Sequence, residues 1–146
     1  MAIKTSTGLR NKMLDTGSTS TILNGGKVRI FAGVVPDTAD AAETGTLLCE
    51  LTVNSTGTGL TFAAAASGGV ITKEPSEVWS GVNVATGTAT YYRHVATGDD
   101  GTLSSDQARV QGTVGVAGAD MNLSNTALVA GATQTLDYYS LALPTL

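Results

Sequence analysis

Alternation of apolar and polar residues dominates the chain after residue 26 and predicts β-strands. In the clearest run, Leu47, Cys49, Leu51 and Val53 alternate with Leu48, Glu50 and Thr52. Successive side chains of a strand point to opposite faces, so this period places the first four residues in a core and sends Glu50 and Thr52 to solvent. We expect the opposite wall of the core to come from Ala108, Val110 and Val114, or from the final strand.

Other short apolar runs follow the same period and are separated by residues that favour turns. They lie near residues 28–32, 60–62, 70–72, 78–84, 88–95, 108–114, 127–129 and 133–143. Short strands at such ragged intervals are typical of sandwiches rather than of repeat arrays. The pattern predicts an all-β protein, specifically a jelly-roll-like (Greek-key) β-sandwich over residues 27–146 with an extended N-terminal arm at 1–26.

The first 26 residues lack the strand period and are predicted to lie outside the core. Residues 7–17 could form one short helix in this arm, with Thr7 as its cap, Leu9 and Met13 on one face and Gly17 at its end. Residues 1–30 carry a net charge of +4, whereas residues 31–146 carry −8. The sequence therefore predicts a basic arm joined to an acidic body.

Composition excludes several classes of protein. The 146 residues are 42% hydrophobic and only 14% charged, which is too apolar for a disordered chain. No run approaches the length of a membrane span, and a net charge of −4 does not suit a general nucleic-acid binder. The chain has one cysteine and no signal-like apolar stretch near its start, so we expect synthesis in a reducing cytoplasm.

The search for catalytic groups finds one tetrapeptide match and two isolated residues. Asp15-Thr16-Gly17-Ser18 matches the tetrapeptide around the catalytic aspartate of aspartic proteases, but it lacks the apolar strand that supports such a loop. His94 is the single histidine, and we expect it to face solvent or an interface. Cys49 is predicted to be a small buried hydrophobe.

Acidic residues at 99, 100 and 106 are the candidate cation ligands. They lack the alternating spacing of a calcium loop, and Asp99-Asp100-Gly101 favours a hairpin turn instead. We therefore predict that the protein is not an enzyme and that it holds no cofactor and no metal.

Adjacent tyrosines suggest surface for contact. In Tyr91-Tyr92 and Tyr138-Tyr139, neighbouring rings point to opposite faces of a strand. One ring of each pair can fill the core, and the other is predicted to be exposed or to meet a partner, because tyrosine outside a core is enriched at interfaces.

The order of several segments resembles small virion proteins encoded with the head genes of tailed bacteriophages. The segments are residues 4–14 (KTSTGLRNKML), 25–31 (GGKVRIF), 87–93 (GTATYYR), 110–115 (VQGTVG) and 118–123 (GADMNL). Several such proteins are decoration, or cement, proteins that clamp neighbouring capsomers on the outside of the capsid. Others are collar, fibre or tail components.

The resemblance implies a decoration protein on the capsid exterior of a virion. Its partners would be the major capsid protein and further copies of itself, as a dimer or trimer, with neither nucleic acid nor membrane. The residues expected to make the contacts are Lys4, Leu9, Arg10, Lys12, Met13, Leu14, Tyr92 and Arg93. Two alternatives stay open, a tail, collar or fibre subunit and a carbohydrate-binding module for which Asn83 and Gln111 are the candidate amides.

Overall fold

The computed structural model describes residues 3–143. Within that range the helices are α1 (Thr7–Asp15) and α2 (Thr19–Leu23). The strands are β1 (Lys4–Thr5), β2 (Lys27–Ala32), β3 (Thr46–Val53), β4 (Val70–Thr72), β5 (Trp79–Val82), β6 (Gly87–Thr88), β7 (Tyr91–Val95), β8 (Arg109–Gly115), β9 (Met121–Asn122), β10 (Ala127–Leu128), β11 (Thr133–Leu136) and β12 (Ser140–Ala142).

Most of the strands join one main sheet. Its order is β1-β8-β7-β2-β3-β5-β11, with β9 added parallel to β8 and every other pairing antiparallel. Two further antiparallel pairs, β10–β6 and β12–β4, stand apart from it. The prediction of an all-β protein is confirmed.

The two faces of the main sheet differ in chemistry. One, the apolar face, carries buried residues such as Val28, Ile30, Leu51 and Val110, which pack in one cluster with Leu141 of β12. The other, the polar face, carries a cross-strand row in which Glu50, Arg29, Arg93, Gln111 and Lys4 are successive register partners. The core therefore lies on one side of the sheet, between it and the β4–β12 pair. The expectation that Ala108, Val110 and Val114 face β3 from the opposite wall is wrong, because β8 belongs to the same sheet, and Leu141 near the end of the chain takes that place.

Strand β3 follows its predicted register only in part. Cys49 and Leu51 are buried as expected, but Leu48 and Thr52 are buried too, so the expectation that Thr52 reaches solvent is wrong. A register shift opposite Ile30 and Phe31 interrupts the alternation at Leu48. Thr52 is covered by the following turn, whose Gly57 N–H donates to the Thr52 hydroxyl at 3.0 Å.

The N-terminal segment is integrated into the fold. The predicted short helix is present as α1, but the expectation that residues 1–26 lie outside the core is wrong for Leu9 and Leu23, which are fully buried in the core cluster. The physical reason is that β1 pairs with the edge of β8 and carries α1 onto the sheet. Neither α1 nor α2 is long and apolar enough to cross a membrane.

Candidate functional site

An apolar groove separates the N-terminal segment from the β4–β12 pair. Its volume is about 620 Å³, and the core residues Leu9, Val110 and Leu141 reach its wall. One side is formed by β1, α1 and the start of α2, and the other by β4, β12 and the segment before β4. The lining residues are Ile3, Thr5, Leu9, Arg10, Met13, Gly17, Ser18, Thr19, Ser20, Ala64, Ala66, Gly69, Ile71, Val110, Leu141, Ala142 and Leu143.

Ser6 fixes helix α1 at the rim of this groove. Its hydroxyl accepts the Leu9 N–H at 3.1 Å as the helix N-cap, accepts the Arg109 N–H at 2.9 Å and donates to the Gln107 carbonyl at 2.7 Å. Its own N–H donates to the Arg109 carbonyl at 2.9 Å. The residue that begins the helix therefore also ties it to the first residue of β8, which replaces the predicted cap at Thr7.

Asp40 and Gly8 hold the other side of the first helical turn. The carboxylate of Asp40 accepts the Thr7 N–H at 2.7 Å and the Thr7 hydroxyl at 2.6 Å. Desolvation pushes the pKa of Asp40 upward, but these hydrogen bonds outweigh it, and the pKa lies below its ordinary value. Gly8 lies so close to the backbone of Asp106 that a Cβ there would be 2.2 Å from the carbonyl oxygen. The helix is thus seated on the chain between β7 and β8.

The structure brings together three of the eight predicted contact residues at the groove. Leu9, Arg10 and Met13 all line it, although Leu9 is fully buried and belongs to the core as well. Arg10 is exposed at the rim, where its guanidinium donates to the Thr7 hydroxyl at 3.0 Å. The groove is therefore apolar along its walls and carries a positive charge at its edge.

Three more of the predicted contact residues lie on the surface near α1. Lys4 and Lys12 donate through Nζ to the backbone carbonyls of Asp37 and Asp106, at 2.7 and 2.8 Å. Leu14 is 87% exposed, the most exposed of the large hydrophobic side chains among residues 3–143. Lys12 and Leu14 extend the candidate surface along α1, whereas Lys4 belongs to the polar face of the sheet, away from the groove.

Tyr92 and Arg93 are fully buried, so the expectation that they contact a partner is wrong in this conformation. Tyr92 faces the core, and Arg93 lies on the polar face beneath the chain between β2 and β3. The Arg93 guanidinium donates to Gln111 Oε1 at 2.9 Å and to the carbonyls of Ala41 and Thr38 at 2.7 and 3.2 Å. Burial and the neighbouring Arg109 charge lower the pKa of Arg93.

The two tyrosine pairs behave differently. In the first pair both rings are buried, because Tyr91 stacks on Phe31 with ring centroids 4.8 Å apart and bonds through its hydroxyl to the backbone of Thr44. In the second pair Tyr139 is buried and Tyr138 is exposed. The expectation that one ring of each pair is exposed is confirmed for residues 138 and 139 and is wrong for residues 91 and 92, where Tyr91 faces away from the core but is covered by the chain between β2 and β3.

His94 is buried in the aromatic core, which contradicts the expected position facing solvent or an interface. Its ring stacks on Phe62 at a centroid distance of 5.3 Å, and its Nδ1 lies 3.3 Å from the Tyr139 hydroxyl. Burial lowers the pKa of His94 to about 3, so the imidazole is neutral at physiological pH. Burial likewise raises the pKa of Cys49 to about 11, in line with the predicted buried hydrophobe.

The acidic candidates do not converge. Asp15 is exposed at the C-terminal end of α1, where its carboxylate accepts the Thr16 hydroxyl at 2.7 Å. Asp99 is buried against Arg109, whereas Asp100 and Asp106 are exposed. Within residues 3–143 no group of three or more histidine, cysteine, aspartate or glutamate side chains is arranged to hold a metal ion.

The two amides suggested for carbohydrate binding are both buried. Gln111 donates to the Pro36 carbonyl at 2.7 Å while it accepts from Arg93, and Asn83 donates to the Val129 carbonyl at 3.1 Å. Each side chain is therefore used inside the protein, and the expectation that these amides bind a sugar is wrong.

Sequence reasoning missed Ser6, Asp40 and the wall formed by Ile71 and Leu141. A serine just before a short amphipathic segment is a usable N-cap signal, although Thr7 offered an equivalent hydroxyl one residue later. No local signal pairs residue 40 with residue 7, or β4 with β12, because those contacts join distant parts of the chain.

Comparison of the chain with protein-family models, with curated proteins and with solved structures finds no match in any of the three.

Proposed function

We propose that this protein is a bacteriophage capsid decoration protein that binds the outer capsid surface through the groove beside α1 and bridges capsomers. The observation that carries the proposal is the groove itself, an open apolar recess of about 620 Å³ that reaches core residues. Recesses of this size with mostly apolar walls bind ligands or partner side chains. In this proposal the recess receives a segment of the shell.

The charges around the groove define the chemistry of the segment that would fit. Arg10 stands at the rim and is the basic residue among those that line the groove, whereas Lys4 lies on the polar face of the sheet and Lys12 is bonded to the chain between β7 and β8. A complementary segment carries apolar side chains for the walls and a carboxylate opposite Arg10, since opposite charges at the rim steer association and fix orientation. We propose an apolar, acidic segment of the major capsid protein as the occupant.

The mode of action in this proposal is mechanical. Insertion of apolar side chains removes about 25 cal/mol of unfavourable hydration free energy for each Å² buried. Because the same contact is repeated over a symmetric shell, modest individual affinities add to a large total resistance to expansion. The docked N-terminal segment supports this role, since the Ser6 and Asp40 contacts fix α1 before binding and reduce the entropy lost on association.

The finer description of the fold belongs to this proposal. We propose a jelly-roll-like Greek-key sandwich in which the β4–β12 pair is part of the second layer. In support, Leu141 and Ile71 pack on the core cluster, and β2 pairs with both β3 and β7, which are distant in sequence.

The test is binding of the full-length chain to purified empty capsids and, separately, to isolated tails of the phage that encodes it. We expect sedimentation with the capsids and not with the tails. Ala66→Arg places a long charged side chain in the groove and should abolish capsid binding, whereas Ala65→Arg, at an exposed neighbour that does not line the groove, should leave it intact.

Charge reversal at the rim gives an independent check. Arg10→Glu should weaken capsid binding at low salt, and the difference from the parent chain should shrink as salt screens the charges. Binding to tails instead of capsids would favour the alternative of a tail, collar or fibre subunit. Equal capsid binding by the Ala66→Arg and Ala65→Arg chains would remove the groove from the proposal.

A further inference from the structure

Four exposed valines mark one end of the main sheet. Strands β2, β5 and β8 all end there and β11 begins there, because β5 and β11, like β2 and β3, are antiparallel neighbours. An exposed valine follows each of β2, β5 and β8 within two residues, and another lies in the segment that leads from β10 into β11. They are Val34, Val84, Val116 and Val129, with exposed fractions of 79%, 66%, 62% and 58%. We call this surface the valine end.

The valine end carries no charge in the segments that form most of it. Residues 33–35, 82–90, 115–119 and 121–132 contain no lysine, arginine, aspartate or glutamate, and Asp120, which separates the last two segments, is half-buried with its Oδ2 accepting the Thr113 N–H at 2.9 Å. At the opposite end of the sheet, the connections that lead into β5 and β8 hold Lys73, Glu74, Glu77, Asp100 and Asp106. The two ends of one sheet therefore differ sharply in polarity.

The valine end is held in a fixed shape by hydrogen bonds between its loops. Asn83 donates through its backbone to the Ala132 carbonyl at 2.8 Å and through its side chain to the Val129 carbonyl at 3.1 Å. Val84 N–H donates to the Leu48 carbonyl at 2.8 Å, and Ala130 N–H donates to the Thr86 hydroxyl at 3.0 Å. Val84 and Val129 are thus displayed by hydrogen-bonded loops, so little ordering entropy is lost when they bind a partner.

We propose that the valine end is the surface through which two copies of this chain associate. A two-fold contact places the same patch on both sides, so a charged residue near the axis would face its own copy. The chain is acidic, with a net charge of −4, and two copies repel each other least where charge is absent. An exposed apolar patch without charges is also unfavourable in water unless a partner covers it.

The size of the patch suits a small interface. From β8 to β11 the sheet order spans five strand spacings, or about 24 Å. A standard interface of roughly 800 Å² per partner is about 30 Å across. We therefore expect association in the micromolar range rather than an obligate dimer.

The test is sedimentation velocity of the full chain from about 1 to about 200 µM, a range that brackets an interface of this size. We expect a concentration-dependent shift from monomer to dimer. Val84→Glu and, separately, Val116→Glu should each raise the dissociation constant at least tenfold. Leu103→Glu, at an exposed leucine between β7 and β8 at the other end of the sheet, is the matched control and should leave it unchanged.

A charge-swap mixture distinguishes self-association from a site for a foreign partner. Val84→Glu and Val84→Lys chains should each dimerise weakly alone and should recover association when mixed, because opposite charges then meet across the axis. A monomer at every concentration, or dimers that are indifferent to both Val84→Glu and Val116→Glu, would overturn the inference. The inference does not depend on the proposed function, and capsid binding by the Val84→Glu chain reports on the groove separately.

Discussion

Asp99 and Arg109 form a bidentate salt bridge that is fully buried at the edge of the polar face. Arg109 Nε lies 2.5 Å from Asp99 Oδ2, and Nη2 lies 2.7 Å from Oδ1. Both side chains are completely buried, and Asp99 Oδ1 also accepts the Gly101 N–H at 2.8 Å. The carboxylate that looked like a candidate cation ligand in the sequence is thus a structural partner of an arginine.

Removing the Asp99 charge should strongly destabilise the fold. Asp99→Asn leaves the Arg109 guanidinium buried without a counter-charge, and breaking a buried pair in this way typically costs about 3–5 kcal/mol. Urea denaturation of the variant and its parent measures the loss of unfolding free energy. Asp106→Asn, in the same connection but exposed, is the control and should change that free energy by less than about 0.5 kcal/mol.

The docking of α1 gives a second prediction: Gly8→Ala should destabilise the protein, whereas Gly17→Ala, at the glycine between α1 and α2, should not. Gly8→Ala would place a methyl group 2.2 Å from the Asp106 carbonyl oxygen, so the helix must shift away from its seat. At Gly17 the nearest atoms to an added Cβ belong to Thr21 at 3.8 Å, which is ordinary contact. Alanine normally stabilises a helix relative to glycine by roughly 0.5–1 kcal/mol, so a loss at Gly8 reverses the usual sign.

Hydrogen exchange reports on this docking directly. In the parent chain the amides of Leu9 and Ser6 should be protected, because both are buried and hydrogen-bonded. Gly8→Ala should remove that protection while amides of β3 stay protected, and Gly17→Ala should leave it in place. If the amides of the N-terminal segment exchanged freely in the parent chain, the segment would instead be an arm outside the core.

What the sequence predicts well here is local, and what it misses depends on distant contacts. The alternation in β3 and β8 is visible because each strand has a core on one side, so the period alone locates it. The same reasoning fails on the polar face. Tyr91 and Arg93 point away from the core and yet are buried, since the chain between β2 and β3 covers them.

Likewise, only the part of the candidate site that is local in sequence could be predicted. Leu9 and Met13 are four residues apart, and that spacing predicted that they share a helical face, as they do at the groove. The opposite wall comes from residues 64–71 and 141–143, which no local pattern joins to α1. Short apolar runs in a chain rich in small residues identify strands without telling which strands become neighbours.

His94 should make the free energy of unfolding depend on pH in a range where the carboxylates have little effect. The folded-state pKa is about 3 because of burial, whereas the unfolded value is about 6.5. Above pH 6.5 the group is neutral in both states and has no effect. As the pH falls below 6.5 only the unfolded chain takes up the proton, so the unfolding free energy should drop by about 2 kcal/mol between pH 7.5 and pH 5.

The pH range distinguishes the effect of His94 on stability from that of the carboxylates. Glu50 and Glu77 have lowered pKa values, because their hydrogen bonds outweigh desolvation, and their contribution is lost only at lower pH, below about 4.5. The chain has one histidine, so a His94→Gln variant should lose most of the slope between pH 6.5 and pH 5. Equal slopes in the two proteins would show that His94 is solvated in the folded state.

The last prediction concerns neighbours on β3 that differ in how they are buried. Leu51 is fully buried in the core cluster, so Leu51→Ala should cost about 2–5 kcal/mol. Thr52 is buried by the turn that follows, and Thr52→Ala leaves the Gly57 N–H without its acceptor, at a cost of about 1–2 kcal/mol. Thr46→Ala, at the exposed start of the strand, should change the free energy of unfolding by no more than about 0.5 kcal/mol.

The expected order of unfolding free energies in urea is therefore Thr46→Ala above Thr52→Ala above Leu51→Ala. If Thr52→Ala were as mild as Thr46→Ala, the turn at residues 54–57 would not be closed over the strand in solution, and Thr52 would face water as the simple alternation predicts.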